Sequence, residues 1–147
     1  MKLLLESDSV SNALSVATAA HFGQVDKAGA DYIRHPIAVA EQLDTEEEQT
    51  AALLHDVLED TTVTLEDLRH EGFSESVLAA VYCLTQQEGE PREDYLLRVA
   101  QNPLAVKVKL ADLRHNSDLS RIPEPGEKDY ARVERYKREM AFLQGKI

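Results

Sequence analysis

Apolar positions along this chain recur mostly every three or four residues, and the polar residues between them carry helix start and stop signals. Over residues 9–22, Val10, Leu14, Ala17 and His21 keep helical spacing, with N-caps available in 7–9 and Gly23 as the stop. Residues 24–35 show no clean period and are expected to form a loop. His35 precedes a proline, so its backbone is expected to be extended. Pro36 then fits the first turn of a short helix reaching Leu43. Thr45 and Glu48 have capping-box spacing, and the central helix is expected to run from there to about Leu58. Thr64 and Asp67 cap a short helix that stops at Gly72, and Ser74 can cap the next, through Leu84. Residues 86–90 read as a polar loop. Pro91 opens a helix to about Gln101. Asn102-Pro103 is an N-cap and N1 pair for a helix to roughly Asp118. After the break at 123–126, a charged helix covers about 128–144. No convincing β-alternation interrupts this series, so the pattern predicts an all-α fold.

Composition narrows the partners. The 147 residues suit one domain with a proper core, and with 43 % apolar but only 5 % aromatic content that core must be aliphatic. Acidic residues outnumber basic ones 27 to 16, for a net charge of -11. Such a surface repels nucleic-acid backbones and anionic lipid, so neither nucleic acid nor a membrane is expected as partner. A small phosphorylated ligand stays compatible, because a local cation can overcome the global field. The single cysteine, Cys83, excludes an internal disulfide, fits a reducing cytoplasm, and lies in an apolar run where a packed, inert thiol is expected. The leucines near the N-terminus are too few for a signal segment or a membrane span.

The chemistry concentrates in residues 51–62. Ala51, Leu54 and Leu58 recur at core spacing with Leu53 and Val57 beside them, yet His55, Asp56, Glu59 and Asp60 sit in the same run. Burying that much charge costs several kcal/mol unless it is paired or metal-bound. On a continuous helix His55 stacks on Glu59 and Asp56 on Asp60. Adjacent His55 and Asp56 diverge by about 100° but can share an ion lying between their directions. His35 is a third candidate ligand, and Asp112, in an otherwise apolar helix, a fourth. Two imidazoles and two carboxylates suit Mn²⁺, Fe²⁺, Co²⁺ or Zn²⁺ and not copper(I).

His35-Pro36, His55-Asp56 and Asp112, in that order, resemble the H…HD…D pattern of the HD-domain phosphohydrolase superfamily. Further blocks narrow the likeness: His21 to Gln24, Lys27, Tyr32 to Pro36, residues 51–61, Val108 to Asp112, and His115-Asn116. Together they resemble the hydrolase domain of RelA/SpoT-type proteins and the free-standing small alarmone hydrolases, most strongly over residues 9–120. The resemblance implies a compact multi-helix HD-domain bundle, a single hydrolase domain over 1–147 with a C-terminal helix at 127–145. It implies His35, His55, Asp56 and Asp112 as ligands of a divalent metal, typically Mn²⁺. Glu59 and Asp60 match the family's pair that positions or deprotonates the attacking water. The implied activity is metal-dependent removal of the 3′-diphosphate from ppGpp or pppGpp.

For the nucleotide itself, Lys27 is a candidate phosphate contact, Asn116 a sugar or base contact, and Arg114 and Lys109 further cations. His115 and His21 are expected to pack, His21 by pinning the 24–35 loop, and His70 to lie on the surface. Two positions depart from the alarmone-hydrolase pattern. Asp26 stands where those hydrolases commonly carry an arginine that stacks on guanine, and Leu113-Arg114 replaces Arg-Leu. An HD-domain phosphatase or pyrophosphohydrolase acting on another nucleotide is therefore a second reading, and a nucleotide-sensing module without turnover a third. The sequence does not set the oligomeric state.

Overall fold

The computed structural model describes residues 3–120 and 122–145, and within them the cap signals open helices where the sequence places them. The series is α1 (Asp8–Ala20), α2 (Arg34–Glu41), α3 (Glu46–Leu54), α4 (Val57–Asp60), α5 (Leu65–His70), α6 (Glu75–Cys83), α7 (Arg92–Ala100), α8 (Pro103–Asn116) and α9 (Glu127–Gln144). Ser7, Thr45, Thr64, Ser74 and Asn102 each accept a backbone hydrogen bond from the first turn of the following helix. Thr45 and Thr64 complete reciprocal capping boxes with Glu48 and Asp67. The described residues contain no strand, only one isolated antiparallel bridge between Val25 and Asp31 within the loop before α2. No described helix is long and apolar enough to cross a membrane.

Two helices carry the core. α3 packs against α1, α2, α6 and α8, and every residue from Glu48 to Leu54 is buried. α8 packs against α2, α3, α6, α7 and α9. Burial of each large aliphatic side chain such as Leu53, Leu54 or Leu113 contributes about 2 kcal/mol. A helix buried on all sides must satisfy its polar residues internally. Gln49 donates to Leu43 O at 3.0 Å and accepts from Leu4 N at 2.8 Å, while the Thr50 and Ser9 hydroxyls pair at 2.9 Å. Glu48 accepts from Lys107 Nζ at 3.0 Å, tying the start of α3 to α8. At the other end, Arg92 of α7 makes a two-pronged pair with Glu139 of α9 at 2.9 and 3.0 Å. Cys83 is half-buried against the core and forms no disulfide.

Two expectations need correction. His35 is not extended: Ile33 already has helical backbone angles (φ -55°, ψ -23°), and α2 starts at Arg34. Pro36 is then the third residue of α2, where its missing N–H is one the helix start leaves unpaired anyway, so the usual pre-proline restriction is overridden. The central helix does not run to Leu58. It stops at Leu54, turns through His55 and Asp56, and resumes as the single turn of α4. His55 N bonds Ala52 O at 3.3 Å, a tightened last turn, and Asp56 (φ -103°, ψ -3°) leads into α4, whose Asp60 N bonds Asp56 O at 3.0 Å. The break falls at the two residues with metal-ligand chemistry.

Candidate metal centre

The interruption between α3 and α4 sets the geometry. A continuous helix would splay His55 and Asp56 apart; the turn brings His55 Nε2 to 3.1 Å from Asp56 Oδ2. From α2, His35 Nε2 reaches Asp112 Oδ1 at 2.7 Å and lies 3.8 Å from Asp56 Oδ2. Asp112, projecting from α8, also places Oδ1 3.4 Å from His55 Nε2. Two imidazole nitrogens and two carboxylate oxygens thus converge from three directions in the fold. His35, His55 and Asp56 offer ligand atoms all within 4.8 Å of one another.

Each of these side chains is also held by a neighbour. His55 Nδ1 donates to Ala52 O at 2.5 Å, which turns Nε2 inward. The Tyr32 hydroxyl donates to Asp56 Oδ2. Lys109 Nζ bonds Asp112 Oδ2 at 2.9 Å, leaving Oδ1 for the cluster and for Asn116 Nδ2 at 3.1 Å. His115 Nδ1 lies 2.7 Å from His35 Nδ1, so one proton is shared between them. With that proton on His115, His35 Nε2–H donates to Asp112 Oδ1; with it on His35, Nε2 presents a lone pair suited to a cation. Partners of this kind fix the tautomer and orientation of metal-ligating side chains.

The cluster calls for positive charge at its centre. Burial disfavours an imidazolium at His55, yet the carboxylates of Asp56 and Asp112 outweigh it and hold its pKa well above the usual histidine value. Burial likewise opposes ionisation of Asp56, but chiefly His55 brings it down to about 2. At Asp112, Lys109, His35 and His55 overcome the same penalty and hold the carboxyl well below its usual range. His55 Nε2 is buried and makes no well-formed hydrogen bond among the described residues, although Asp56 Oδ2 and Asp112 Oδ1 stand 3.1 and 3.4 Å away. An orphaned nitrogen facing two carboxylate oxygens fits a cation between them, and the borderline-to-hard donor set fits a divalent ion.

Beside the cluster lies a cavity of about 180 Å³, whose walls include Glu59, Asp60, Lys109, Asn116, Arg92 and Tyr136. It shares Tyr32, Asn116 and Tyr136 with a second cavity of about 320 Å³, into which Asp26, Lys27, Asp118 and Arg132 also enter. Partial burial, then Asp56 and Glu59, push the Asp60 carboxyl up to about 6. Glu59 Oε1 accepts from Gln86 N at 2.8 Å instead of stacking on His55.

Of the residues singled out in the sequence, His35, His55, Asp56 and Asp112 meet in the cluster, and Glu59, Asp60 and Asn116 adjoin it. Lys27 is exposed on the second cavity. Arg114 is exposed on α8, donating to Gln42 at 2.9 Å, and lines neither cavity. His21 does pin the loop: its Nδ1 bonds Gln24 Oε1 at 3.1 Å, and Gln24 Nε2 donates to Asp60 O at 3.2 Å. His115 does more than pack, since it contacts the His35 ring nitrogen. Sequence reasoning gave no role to Tyr32, Arg92, Arg132 or Tyr136. Tyr32 lies in a recognised block, but nothing local shows that its hydroxyl crosses 24 positions to Asp56.

The fold and the cluster together define an all-α protein with a two-histidine, two-aspartate site of divalent-metal type. A family model described as HD domain matches residues 13–115, and the chain belongs to that family. Among curated relatives, the guanosine-3′,5′-bis(diphosphate) 3′-pyrophosphohydrolase of Haemophilus influenzae is 39 % identical over 116 residues, 69 % of this chain and 17 % of that protein. The protein of the same name from Borreliella burgdorferi is 33 % identical over 136 residues, 81 % of this chain and 20 % of that one. A probable GTP pyrophosphokinase from Mycobacterium leprae is 36 % identical over 129 residues, 79 % of this chain and 16 % of that one. The chain therefore spans a fifth or less of the length of these relatives. A solved structure, described as a metazoan ortholog of SpoT that hydrolyzes ppGpp, superposes with a TM-score of 0.73 at 24 % identity. That match covers 93 % of this chain and 85 % of the other, and shows the shared fold.

Proposed function

We propose that the protein is a metal-dependent phosphohydrolase that removes the 3′-diphosphate from guanosine-3′,5′-bis(diphosphate), ppGpp or pppGpp. The observation that carries this reading is the convergence of His35, His55, Asp56 and Asp112 beside a cavity walled by two further carboxylates, Glu59 and Asp60. When bound, a divalent ion, Mn²⁺ in this reading, supplies Lewis acidity toward water and a phosphoryl oxygen. Asp60, with its carboxyl raised to about 6, is matched to accept a proton from water near neutral pH. Glu59, anchored on Gln86 N, orients that water. Lys27 at the second cavity meets the phosphate groups, and Asn116 lies where the two cavities join, within reach of the sugar or base. Arg114 points toward Gln42, so Arg132 and Lys27 are better placed to attract phosphate. The names of the curated relatives support the choice of substrate. The reading takes residues 1–147 as a single HD-type hydrolase domain in a cytoplasmic protein.

One observation favours a second reading, hydrolysis of a different phosphorylated nucleotide. Where the alarmone hydrolases that this chain resembles commonly carry a guanine-stacking arginine, it has Asp26, whose Oδ1 is engaged by Ala28 N at 2.9 Å and Ala30 N at 3.0 Å. It braces its own loop and offers nothing to stack on guanine. A sensing module without turnover gives no account of Glu59 and Asp60 beside the cluster.

The test is pyrophosphate release by purified protein with ppGpp and Mn²⁺. Release that disappears with a chelator and in Asp56→Ala is the expected result. The ppGpp assignment is overturned by no release under conditions where an alarmone hydrolase domain is active. A metal-supplemented nucleotide screen then separates the second reading from a sensing module.

A further inference from the structure

Glu59 belongs to a four-residue helix and its side chain is exposed. An exposed glutamate held in one position gives up rotamer freedom, so its anchor must be firm. Its anchor is a main-chain donor, Gln86 N at 2.8 Å, in the loop between α6 and α7. A backbone amide fixes a carboxylate only as well as its own loop is fixed.

Arg98, on α7, holds both ends of that loop. Its Nη2 donates to Thr85 O at 2.9 Å and Glu90 Oε1 at 2.9 Å, its Nε to Glu90 Oε2 at 3.0 Å, and its Nη1 to Tyr82 O at 3.2 Å. The guanidinium sits 5.5 Å from the Tyr82 ring centre and 5.9 Å from that of Tyr95. Glu90 passes the constraint inward: Oε1 accepts from Gln87 N at 3.0 Å, and its backbone oxygen accepts from Gln86 Nε2 at 2.9 Å. Arg98 itself lines neither cavity. Only a planar, multi-donor side chain can make these bonds together; an ammonium is a single point.

We infer that Arg98 is a positioning residue for Glu59, acting through Glu90 and the 85–90 loop to hold the Gln86 amide that orients the carboxylate at the candidate metal centre. The inference rests on the proposed role of Glu59 in hydrolysis.

Arg98→Lys tests it, in wild type and in a Glu59→Gln background. In wild type it should lower kcat about tenfold while Mn²⁺ affinity by calorimetry stays within about twofold. In the Glu59→Gln background it should leave the residual kcat unchanged, because the carboxylate it serves is already gone. By NMR, hydrogen exchange at the Gln86 amide should accelerate about tenfold with the α3 and α8 amides unaffected. Equal losses of kcat in both backgrounds, or an unaltered Gln86 exchange rate, would overturn the inference. Should Arg98→Lys fail to fold, Glu90→Gln is judged by the same criteria, since it keeps the side-chain shape and the bonds from Arg98 to Thr85 and Tyr82. If the wild-type protein turns over no nucleotide, the proposed function fails by itself. The Gln86 exchange rate then still decides whether Arg98 fixes the loop.

Discussion

His35 Nε2 and Asp112 Oδ1 stand 2.7 Å apart although 77 positions separate them in the chain. Their meeting is a product of packing, because α2 and α8 lie against each other and both lie against α3. Gln42 Nε2 reinforces the same junction by donating to Ala111 O at 2.9 Å. The contact brings the ends of the motif together around His55 and Asp56, and several consequences can be measured.

Metal should stabilise the fold. A ligand that binds only the native state contributes about 2.7 kcal/mol at a hundredfold excess over Kd, which for a domain of this size raises Tm by roughly 5–10 °C. Thermal unfolding with and without Mn²⁺ should show that rise in the wild-type protein and none in Asp56→Ala.

Lys109→Met removes the cation bonded to Asp112 Oδ2, at a buried position. Breaking a buried ion pair from one side costs about 3 kcal/mol or more, so the metal-free variant should lose stability on that scale in urea unfolding. Divalent metal should restore part of the loss, since it returns positive charge to the same carboxylate.

Glu59→Gln and Asp60→Asn should separate binding from turnover. Neither carboxylate is in the four-donor cluster, so Mn²⁺ affinity by calorimetry should change little. Loss of general-base or water-orienting function should lower kcat by about 10²- to 10⁴-fold. A large fall in metal affinity would place these residues among the ligands instead.

The α3 cap gives a pH dependence whose sign is fixed. Burial alone would raise the Glu48 carboxyl, but hydrogen bonds from Lys107 and from the amides of Asp44 and Thr45 hold it below its ordinary value of 4.5. A carboxyl lowered in the folded state stabilises the fold above its unfolded-state value, and that contribution is lost as pH falls through the folded value. Glu48→Gln should therefore be less stable than wild type by about 1 kcal/mol at pH 7, with the gap closing below about pH 4. Urea unfolding across that range checks it.

Local chemistry made much of the fold legible. Thr45, Thr64, Ser74 and Asn102-Pro103 cap helices through contacts within a few residues, and a single sequence shows such contacts. His55, Asp56 and Asp112 stood out because such residues are costly in apolar helices unless paired, whereas His35 and the four-ligand set rested on the likeness to HD-domain hydrolases. The break at His55-Asp56 was not, since no glycine or proline marks it and the apolar pattern runs on through Leu58. Tertiary placement of the two side chains decides it. His35 misled through a local rule that helix entry at Arg34 overrides. The anchoring of Glu59 was invisible for another reason: its partner is the backbone of Gln86, and a main-chain amide leaves no mark in sequence.

Anomalous scattering at the manganese edge, from crystals grown with Mn²⁺, tests the centre of this account most directly. The expected result is one strong peak bounded by His35 Nε2, His55 Nε2, Asp56 Oδ2 and Asp112 Oδ1, with Glu59 and Asp60 beside it and not bonded to it. A peak elsewhere, or none at saturating metal, would contradict it.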